Sequence, residues 1–434
     1  MPLLESALPV RPKPERAALP GALVLAIALA AALPCRADEP RPDAAESGTR
    51  AEKRKTELTI VPFVGGNSDM GFGGGYIASL ARVDPELEPY LYRIETAGSI
   101  TVGKDEAGGW RVPYTDVYLL FSFPNLIEDH LGLDLRVSYT LEGNLKYYGL
   151  GNASSIDPGL DPSDAFFEHA RTHPTLRATL EYRVKPFAFS LGGSYTQNWF
   201  EVPEGTRLAN DIASPDARVR DLVGGAETHG APKVALGVAW DTRDDETSPV
   251  RGVYITEQLE VTPGTIGDAV DYRFARLDTA VHVFVPLIPR DRRLVLAARV
   301  ANDLLFGDPP FFELPRYEDT FAIGGAKGVR GVPGQRYYGK VKVLSNLELR
   351  SELFSAKILG DERRFGIVGF ADVGRLWADY RRDPELDGTG LGLKYGLGGG
   401  LRVASGEAFV LRLDVAWSPD ANPIGGYLLA GHIF

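Results

Sequence analysis

The stretch FAIGGAKGVRGVPGQRYYGK, residues Phe321–Lys340, decides how the rest of the chain is arranged. It is too rich in glycine for a strand or a stable helix, because glycine loses more backbone entropy on ordering than any other residue. Two alternating, strand-like runs bracket it, Arg292–Phe306 and Lys340–Phe354, and one conspicuous cation, Arg330, lies near its centre. A long loop between strands with a cation at its tip indicates a functional segment.

The tip of this loop has the sequence Val329-Arg330-Gly331-Val332. It resembles the tip of the sixth extracellular loop in the BamA/TamA family of outer-membrane protein-assembly barrels. In that family a Val-Arg-Gly-aromatic sequence folds back inside the barrel, whereas here valine stands at the aromatic position. The resemblance implies an all-β fold, a transmembrane antiparallel β-barrel with a long infolded extracellular loop.

Two later stretches resemble the partners of that tip in the family. Phe370–Gly374 (FADVG) matches a Phe-x-Asp-x-Gly strand, and Glu348 matches an acidic position on the strand after the loop. The resemblance implies that Arg330 faces Glu348 and Asp372 as a loop anchor. Charges inside a barrel need partners to offset their desolvation, and arginine can donate to two carboxylates at once. Coincidental charges in a porin-like lumen are the alternative.

The composition limits the possible classes of protein. The 434 residues are 44% hydrophobic and 24% charged, and the mean hydropathy is -0.11. These values fit a soluble protein or a β-barrel and exclude a helical membrane protein. The net charge of -11 disfavours nucleic acid as a partner, since nucleic-acid binding requires a basic patch.

The first 37 residues have the pattern of a secretory signal peptide. Basic residues precede the apolar run Ala17–Leu33, and cleavage is expected after Ala37. The single cysteine, Cys35, lies within this segment, so a cleaved chain contains no thiol. A lipoprotein signal is the competing interpretation, although Leu33 and Pro34 before the cysteine fit it poorly.

Residues 38–55 form a charged, proline-containing linker that we expect to be disordered, and residues 56–434 form the barrel domain. Members of the family usually carry periplasmic POTRA domains ahead of the barrel. The 18 residues of the linker cannot build one, because a domain needs about 50 residues or more. We therefore expect a barrel without its own POTRA domains.

Alternation of apolar and polar residues predicts about 16 membrane strands, an even number that suits a closed bacterial barrel. The predicted strands are Glu57–Val64, Gly71–Arg82, Leu91–Gly103, Val112–Phe123, His130–Glu142, Thr175–Val184, Pro186–Phe200, Pro232–Arg243, Arg251–Thr262, Asp271–Pro286, Arg292–Phe306, Lys340–Phe354, Arg363–Trp377, Leu391–Ala404, Glu407–Ser418 and Gly425–Phe434. Long connections, 143–174, 201–231 and 307–339, follow odd-numbered strands and are predicted to be extracellular, which places the Arg330 loop between strands 11 and 12.

The turn between predicted strands 8 and 9 contains an Asp-x-Arg-Asp sequence followed by Pro-x-x-Gly, which also resembles the family. Its residues are Asp241, Arg243, Asp244, Pro249 and Gly252. Aspartate side chains accept from nearby backbone donors, proline fixes one φ angle and glycine permits an unusual one. We interpret this stretch as a structural periplasmic hairpin and not as a ligand site.

The last predicted strand ends in LLAGHIF, so that Leu428, Ala430, His432 and Phe434 would share one face. A terminal phenylalanine resembles the signal that marks bacterial outer-membrane barrels for assembly. Aromatic residues near strand ends suggest interfacial girdles or ordinary packing: Tyr90, Tyr92, Trp110, Tyr114, Tyr147, Tyr148, Trp199, Phe200, Tyr337, Tyr338, Trp377 and Trp417. Glycine runs such as Gly396–Gly400 suggest curvature, close backbone approach or room for an infolded loop.

No catalytic motif is present, and neither an enzyme nor a cofactor is predicted. His169 and His173 lie beside Glu168 in a predicted loop, but without a third ligand we expect solvated histidines and no metal site. The sequence predicts an outer-membrane barrel that assists insertion or translocation of proteins, or of lipid. Its expected partners are outer-membrane lipid, client barrel proteins and a separate periplasmic or lipoprotein partner. A passive channel or structural barrel is the alternative, and a phospholipase is disfavoured.

Overall fold

The computed structural model describes residues 55–434 apart from short gaps. The gaps are 68–70, 85–86, 105–108, 128–129, 157–158, 162–163, 268–270, 289–292, 318–319, 359–360, 406–408 and 421–423. The predicted signal peptide, 1–37, and the predicted linker as far as residue 54 lie outside the described residues.

Sixteen antiparallel strands form one closed barrel, which confirms the predicted fold class and number of strands. The strands are β1 (Lys55–Asn67), β2 (Gly71–Asp84), β3 (Leu87–Lys104), β4 (Trp110–Ile127), β5 (Leu131–Lys146), β6 (Glu168–Val184), β7 (Phe187–Glu201), β8 (His229–Asp241), β9 (Gly252–Thr262), β10 (Phe274–Pro286), β11 (Val295–Gly307), β12 (Val341–Ile358), β13 (Asp361–Trp377), β14 (Lys394–Ser405), β15 (Phe409–Trp417) and β16 (Ile424–Ala430).

Each strand pairs with its neighbours in the sequence, and β1 closes the barrel against β16. The sheet continues directly from β11 to β12, with Leu304 opposite Val341, so residues 308–340 leave and re-enter the sheet at the same end. This segment, the infolded loop, therefore lies between the eleventh and twelfth strands, as predicted. We call its end of the barrel the long-loop end and the opposite end the short-turn end.

Side chains alternate between the outer surface and the lumen, as a strand period of two requires. On β8 the outward residues Val234, Leu236 and Val238 are 51%, 54% and 38% exposed. On β10 the inward residues Arg276 and Asp278 are each 3% exposed. An apolar outer face and a polar interior are the arrangement that a barrel in a lipid bilayer requires.

Short helices occur in the loops of the long-loop end. They are α1 (Arg207–Ile212), α2 (Ala217–Val223), α3 (Pro384–Asp387) and two 3-10 turns, Ala165–Phe167 and Phe311–Glu313. A pair of two-residue strands, Arg316–Tyr317 and Thr320–Phe321, lies in the infolded loop. Among the described residues, no helix has the length and apolar character needed to cross a membrane.

A hydrophobic cluster packs the loops against the inner wall at the long-loop end. It combines residues of the loops, the helices and the infolded loop: Tyr147, Leu150, Leu208, Val223, Tyr272, Phe274, Leu305, Phe311, Phe312, Leu314 and Tyr338. The loops are thus fixed by burial of apolar surface, which is the dominant favourable contribution to folding.

Four of the aromatic residues considered for the interfacial girdles lie in the interior instead. Tyr147, Tyr148, Tyr337 and Tyr338 are at most 3% exposed and pack among the loops. Trp110, in contrast, is 75% exposed. For these four tyrosines the structure therefore favours the alternative of ordinary packing, because the loops that carry them fold into the barrel.

The prediction that His169 and His173 are solvated residues of a loop is also wrong. β6 begins at Glu168, earlier than predicted, so both histidines lie on a strand. His169 is buried, and the His173 ring nitrogen Nε2 lies 3.1 Å from a Glu142 carboxylate oxygen. In the described residues, no group of three or more His, Cys, Asp and Glu side chains is placed to hold a metal ion.

The last strand is shorter than predicted. It ends at Ala430, and Gly431 adopts a φ of 82°, which turns the chain away from the sheet. Phe434 then packs its ring against Phe284 of β10, with ring centroids 6.3 Å apart, and its carbonyl accepts from Arg350 of β12. The expectation of one strand face that extends to His432 and Phe434 is therefore wrong beyond Ala430.

Candidate functional site at the tip of the infolded loop

The tip of the infolded loop consists of Val329, Arg330 and Gly331, which are all buried. A short turn shapes the tip, in which the Val332 amide donates to the Val329 carbonyl at 3.2 Å. Gly331 adopts a φ of 91°, and a Cβ atom there would lie 2.9 Å from the backbone carbon of Trp417 on β15. Only glycine fits this position without strain, because the conformation and the contact both exclude a side chain.

Arg330 is fully buried, and its guanidinium binds three carboxylates. Nε and Nη2 donate to Asp372 of β13 at 2.7 and 3.0 Å, in a bidentate arrangement. Nη1 donates to Glu348 of β12 at 2.8 Å and to Asp414 of β15 at 3.0 Å. The backbone amide of Arg330 also donates to Asp372, at 3.1 Å. The structure thus brings Arg330, Glu348 and Asp372 together, and it adds Asp414.

Asp414 was not identified from the sequence. It lies on β15, and its Cα partner across the sheet is Tyr427 of β16. The signal available in the sequence was its spacing, because residues two apart share a strand face. Asp414 therefore shares a face with Arg412 and Ala416, which are both buried in the structure. That signal indicates an inward position but not its partner, which depends on how deeply the loop enters the barrel.

Further polar side chains surround this site, which we call the anchor. Arg350 donates to Glu348 at 2.8 Å, and Asn346 donates to Asp372 at 2.8 Å. Burial disfavours the charged form of Arg330, but the hydrogen bonds from Arg330 to Asp372, with the charges of Glu348 and Asp414, raise the pKa of Arg330 above its usual value. The arginine therefore stays charged at any physiological pH.

The aromatic ring of Phe370 covers one side of the Arg330 guanidinium. The guanidinium carbon lies 3.4 Å from the ring centroid, which is a close cation–π contact. Phe370 belongs to a small buried cluster with Val368, Ala416 and Tyr427. The Phe-x-Asp-x-Gly stretch therefore contributes both a carboxylate and an aromatic ring to the same cation.

Two glycines on the barrel wall make room for the tip. A Cβ atom at Gly396 of β14 would lie 1.8 Å from the Arg330 carbonyl oxygen, and one at Gly374 of β13 would lie 2.5 Å from a methyl carbon of Ile323. Both distances are too short for any real contact. The prediction that the run Gly396–Gly400 provides space for an infolded loop is confirmed at Gly396.

A second ionic cluster holds the entrance of the infolded loop. Glu313 accepts from Arg276 of β10 at 2.6 Å and from Lys233 of β8 at 3.0 Å. Burial disfavours the charge of Glu313, but Lys233 and Arg276 lower the pKa of Glu313 well below its usual range. Sequence reasoning missed this cluster, because its members lie on separate strands without a local motif.

A third contact joins the infolded loop to β5. Arg316 donates to Glu142 of β5 at 2.7 Å. The same carboxylate receives the contact from His173 of β6. Ionic contacts therefore hold the loop at its entrance through Glu313, along its length through Arg316 and at its tip through Arg330.

The residues of the predicted periplasmic hairpin form the connection between β8 and β9 at the short-turn end. Asp241 accepts from the Arg243 amide at 2.9 Å, and Asp244 accepts from the Val250 amide at 2.9 Å. Gly252 adopts a φ of 116°. Pro249 lies within this connection. In the described part of the chain, Arg330 makes no hydrogen bond or ion pair with this turn.

The comparisons with known proteins agree with this architecture. A closed barrel with an apolar outer face defines an outer-membrane β-barrel protein. The family described as the Omp85 superfamily domain matches residues 115–425, well over half of the chain. The chain therefore belongs to the Omp85 superfamily and is a protein of the cell outer membrane.

Two solved structures show the same fold at low sequence identity. BamA from Haemophilus ducreyi lacking POTRA domains 1–3 is 16% identical, with a TM-score of 0.57, over 88% of this chain and 70% of that chain. CdiB from Escherichia coli is 14% identical, with a TM-score of 0.51, over 88% of this chain and 68% of that chain. No curated protein sequence matches the chain.

Proposed function

We propose that this protein assists the insertion or translocation of proteins, or of lipid, at the outer membrane. The Omp85 superfamily, to which the chain belongs, supports this class of activity. The proposal includes no chemical step and no cofactor. It assigns outer-membrane lipid and client barrel proteins as partners, with a separate periplasmic or lipoprotein partner for client delivery.

The observation that carries the proposal is the short seam between β1 and β16. Among the described residues, two residue pairs join these strands, Gly66 with Leu428 and Asn67 with Tyr427. On its other side β16 forms seven pairs with β15, from Leu411–Ala430 to Trp417–Ile424. In the part of the chain that the structure describes, the pairing at the seam is thus much shorter than β1 itself, and a strand edge with few pairs is a template for pairing with another chain.

The anchor supports the same proposal because it fixes the infolded loop beside the seam. Arg330 binds strands β12, β13 and β15 at once. In this proposal the anchor keeps strands β12, β13 and β15 in place. Meanwhile β1 and β16 separate, and a strand of the client protein pairs with the free edge. The end of the barrel with the long loops then faces the cell exterior, and the short turns face the periplasm.

A passive channel is the second candidate, and it requires a continuous aqueous path. The infolded loop and the hydrophobic cluster that includes Phe311 and Tyr338 occupy the lumen at the long-loop end. This packing argues against a pore that is steadily open. Ion conductance separates the two candidates, since a passive channel predicts steady currents and no effect on client folding.

The experiment that tests the proposal is refolding of a small urea-denatured barrel protein into lipid vesicles that contain this protein. Arg330→Ala removes the anchor, and Arg220→Ala on α2, whose side chain is 48% exposed, is the matched control. Client folding that is accelerated by the wild type and by Arg220→Ala, but not by Arg330→Ala, is expected. No acceleration by the wild type, together with steady conductance, would overturn the proposal in favour of a channel.

A further inference from the structure

Strand β16 is paired unequally on its two sides in the described part of the chain. The two pairs with β1 involve Leu428 and Tyr427, and the seven pairs with β15 are the main attachment. Tyr427 takes part in both sets, opposite Asn67 on one side and Asp414 on the other. It therefore lies at the point where the seam begins.

The Tyr427 side chain contacts the tip of the infolded loop. Tyr427 is 1% exposed, and its hydroxyl accepts a hydrogen bond from the Gly331 amide at 2.9 Å. Arg330, the preceding residue, donates to Asp414, which is the cross-strand partner of Tyr427. Two consecutive residues of the tip thus bind two laterally paired residues of β15 and β16.

The surroundings of Tyr427 hold its hydroxyl at this place. Its ring packs with Phe370 and Ala416 in a buried cluster. A Cβ atom at Gly425 would lie 2.5 Å from the Tyr427 hydroxyl, so the glycine at that position leaves the space that the hydroxyl occupies. A buried backbone amide without an acceptor is costly, which means that Gly331 and Tyr427 stabilise each other's position.

We propose that Tyr427 is a positioning residue that couples the loop tip to the seam, so that the docked tip keeps β16 against the barrel wall and withdrawal of the tip releases β16. This inference deepens the proposed function, because it states how the anchor regulates the edge that would receive a client strand. The coupling itself requires no client and is tested in the protein alone.

The test is hydrogen exchange of the full chain in lipid nanodiscs, measured for the segment Ile424–Ala430. Tyr427→Phe removes only the hydroxyl, and we expect exchange of this segment to become about tenfold faster, as for loss of one acceptor of a buried amide. Tyr338→Phe is the matched control. Tyr338 is 1% exposed, like Tyr427, and its hydroxyl donates to the Lys146 carbonyl at 2.9 Å, away from β16. This control should leave the exchange of Ile424–Ala430 unchanged.

A double-mutant cycle distinguishes coupling from a general loosening of the barrel. Arg330→Ala withdraws the tip and should accelerate exchange of the same segment, and adding Tyr427→Phe should then have little further effect. Equal exchange in wild type and Tyr427→Phe, acceleration by Tyr338→Phe as well, or fully additive effects of Arg330→Ala and Tyr427→Phe would each overturn the inference. Accelerated exchange without any client-folding activity in the wild type would retain the coupling and overturn only the proposed function.

Discussion

The guanidinium carbon of Arg330 lies 3.4 Å from the ring centroid of Phe370, while the same guanidinium forms a bidentate pair with Asp372. Phe370 and Asp372 are two residues apart on β13 and therefore share its inner face. Because of this spacing, Phe370 covers the flat face of the Arg330 guanidinium while Asp372 accepts hydrogen bonds from its edge.

Arg330→Ala and Asp372→Ala should loosen the infolded loop while the barrel remains folded. Removing one partner of a buried ion pair leaves the other charge uncompensated and costs about 3–5 kcal/mol. Trypsin cleavage at Lys327 and Arg336 measures the docking of the loop, and heat-modifiable migration on a gel reports the fold of the barrel. Unchanged protection of the loop in both variants, with unchanged client folding, would show that the anchor is dispensable.

Phe370→Leu should weaken the anchor by about 1–2 kcal/mol, because it removes the cation–π contact and keeps an apolar side chain. Phe365→Leu is the matched control on the same strand, since Phe365 stacks on Phe354 and not on the loop tip. Protease protection of the infolded loop should fall for Phe370→Leu alone. An equal fall in protease protection in both variants would mean that any substitution on β13 loosens the loop, and it would contradict a specific role of the cation–π contact.

Gly396→Ala should displace the tip, because the new methyl group would lie 1.8 Å from the Arg330 carbonyl oxygen. Gly369→Ala is its control, since a Cβ atom at Gly369 meets no atom within 4 Å. We expect Gly396→Ala to resemble Arg330→Ala in loop proteolysis and in client folding, and Gly369→Ala to resemble the wild type. Wild-type behaviour of Gly396→Ala would mean that the tip tolerates a shift away from β14.

The barrel and the main partners of the tip could be predicted because their signals are local in the sequence. Alternation identifies each strand by itself, and the stretches around Glu348 and Asp372 each resemble a known pattern. Asp414 and Tyr427 could not be assigned in this way. They lie 84 and 96 residues from their loop partners, and their contacts arise only when the barrel closes and the loop enters it.

The errors of the sequence prediction have related physical causes. β6 starts at Glu168 because its pairing with β5 extends beyond Thr175, where the alternation of apolar and polar residues begins. The chain turns inward at Gly431, where a positive φ angle replaces the extended conformation that a continuous strand would need. Neither the length of a pairing nor the choice of a glycine conformation is encoded in a hydrophobic pattern.

Docking of the infolded loop should depend on pH only under acidic conditions. Burial disfavours the charge of Glu313, but Lys233 and Arg276 keep the pKa of Glu313 below its usual value. A carboxylate with a lowered folded-state pKa stabilises the fold fully above its unfolded pKa of about 4.3, and this contribution is lost as the pH falls through the folded-state value. Conductance across planar bilayers should therefore stay constant between about pH 8 and pH 5 and rise only below about pH 4.

Glu313→Gln provides the control for this pH dependence, because glutamine keeps the shape of the side chain and cannot ionise. It leaves Lys233 and Arg276 with one fewer negative charge near them, so conductance should be raised already at neutral pH. The further rise at acidic pH should be smaller than in the wild type, since one titrating group is missing. A wild-type conductance that increases between pH 8 and pH 5 would contradict the assignment, because Glu313 remains ionised throughout that interval.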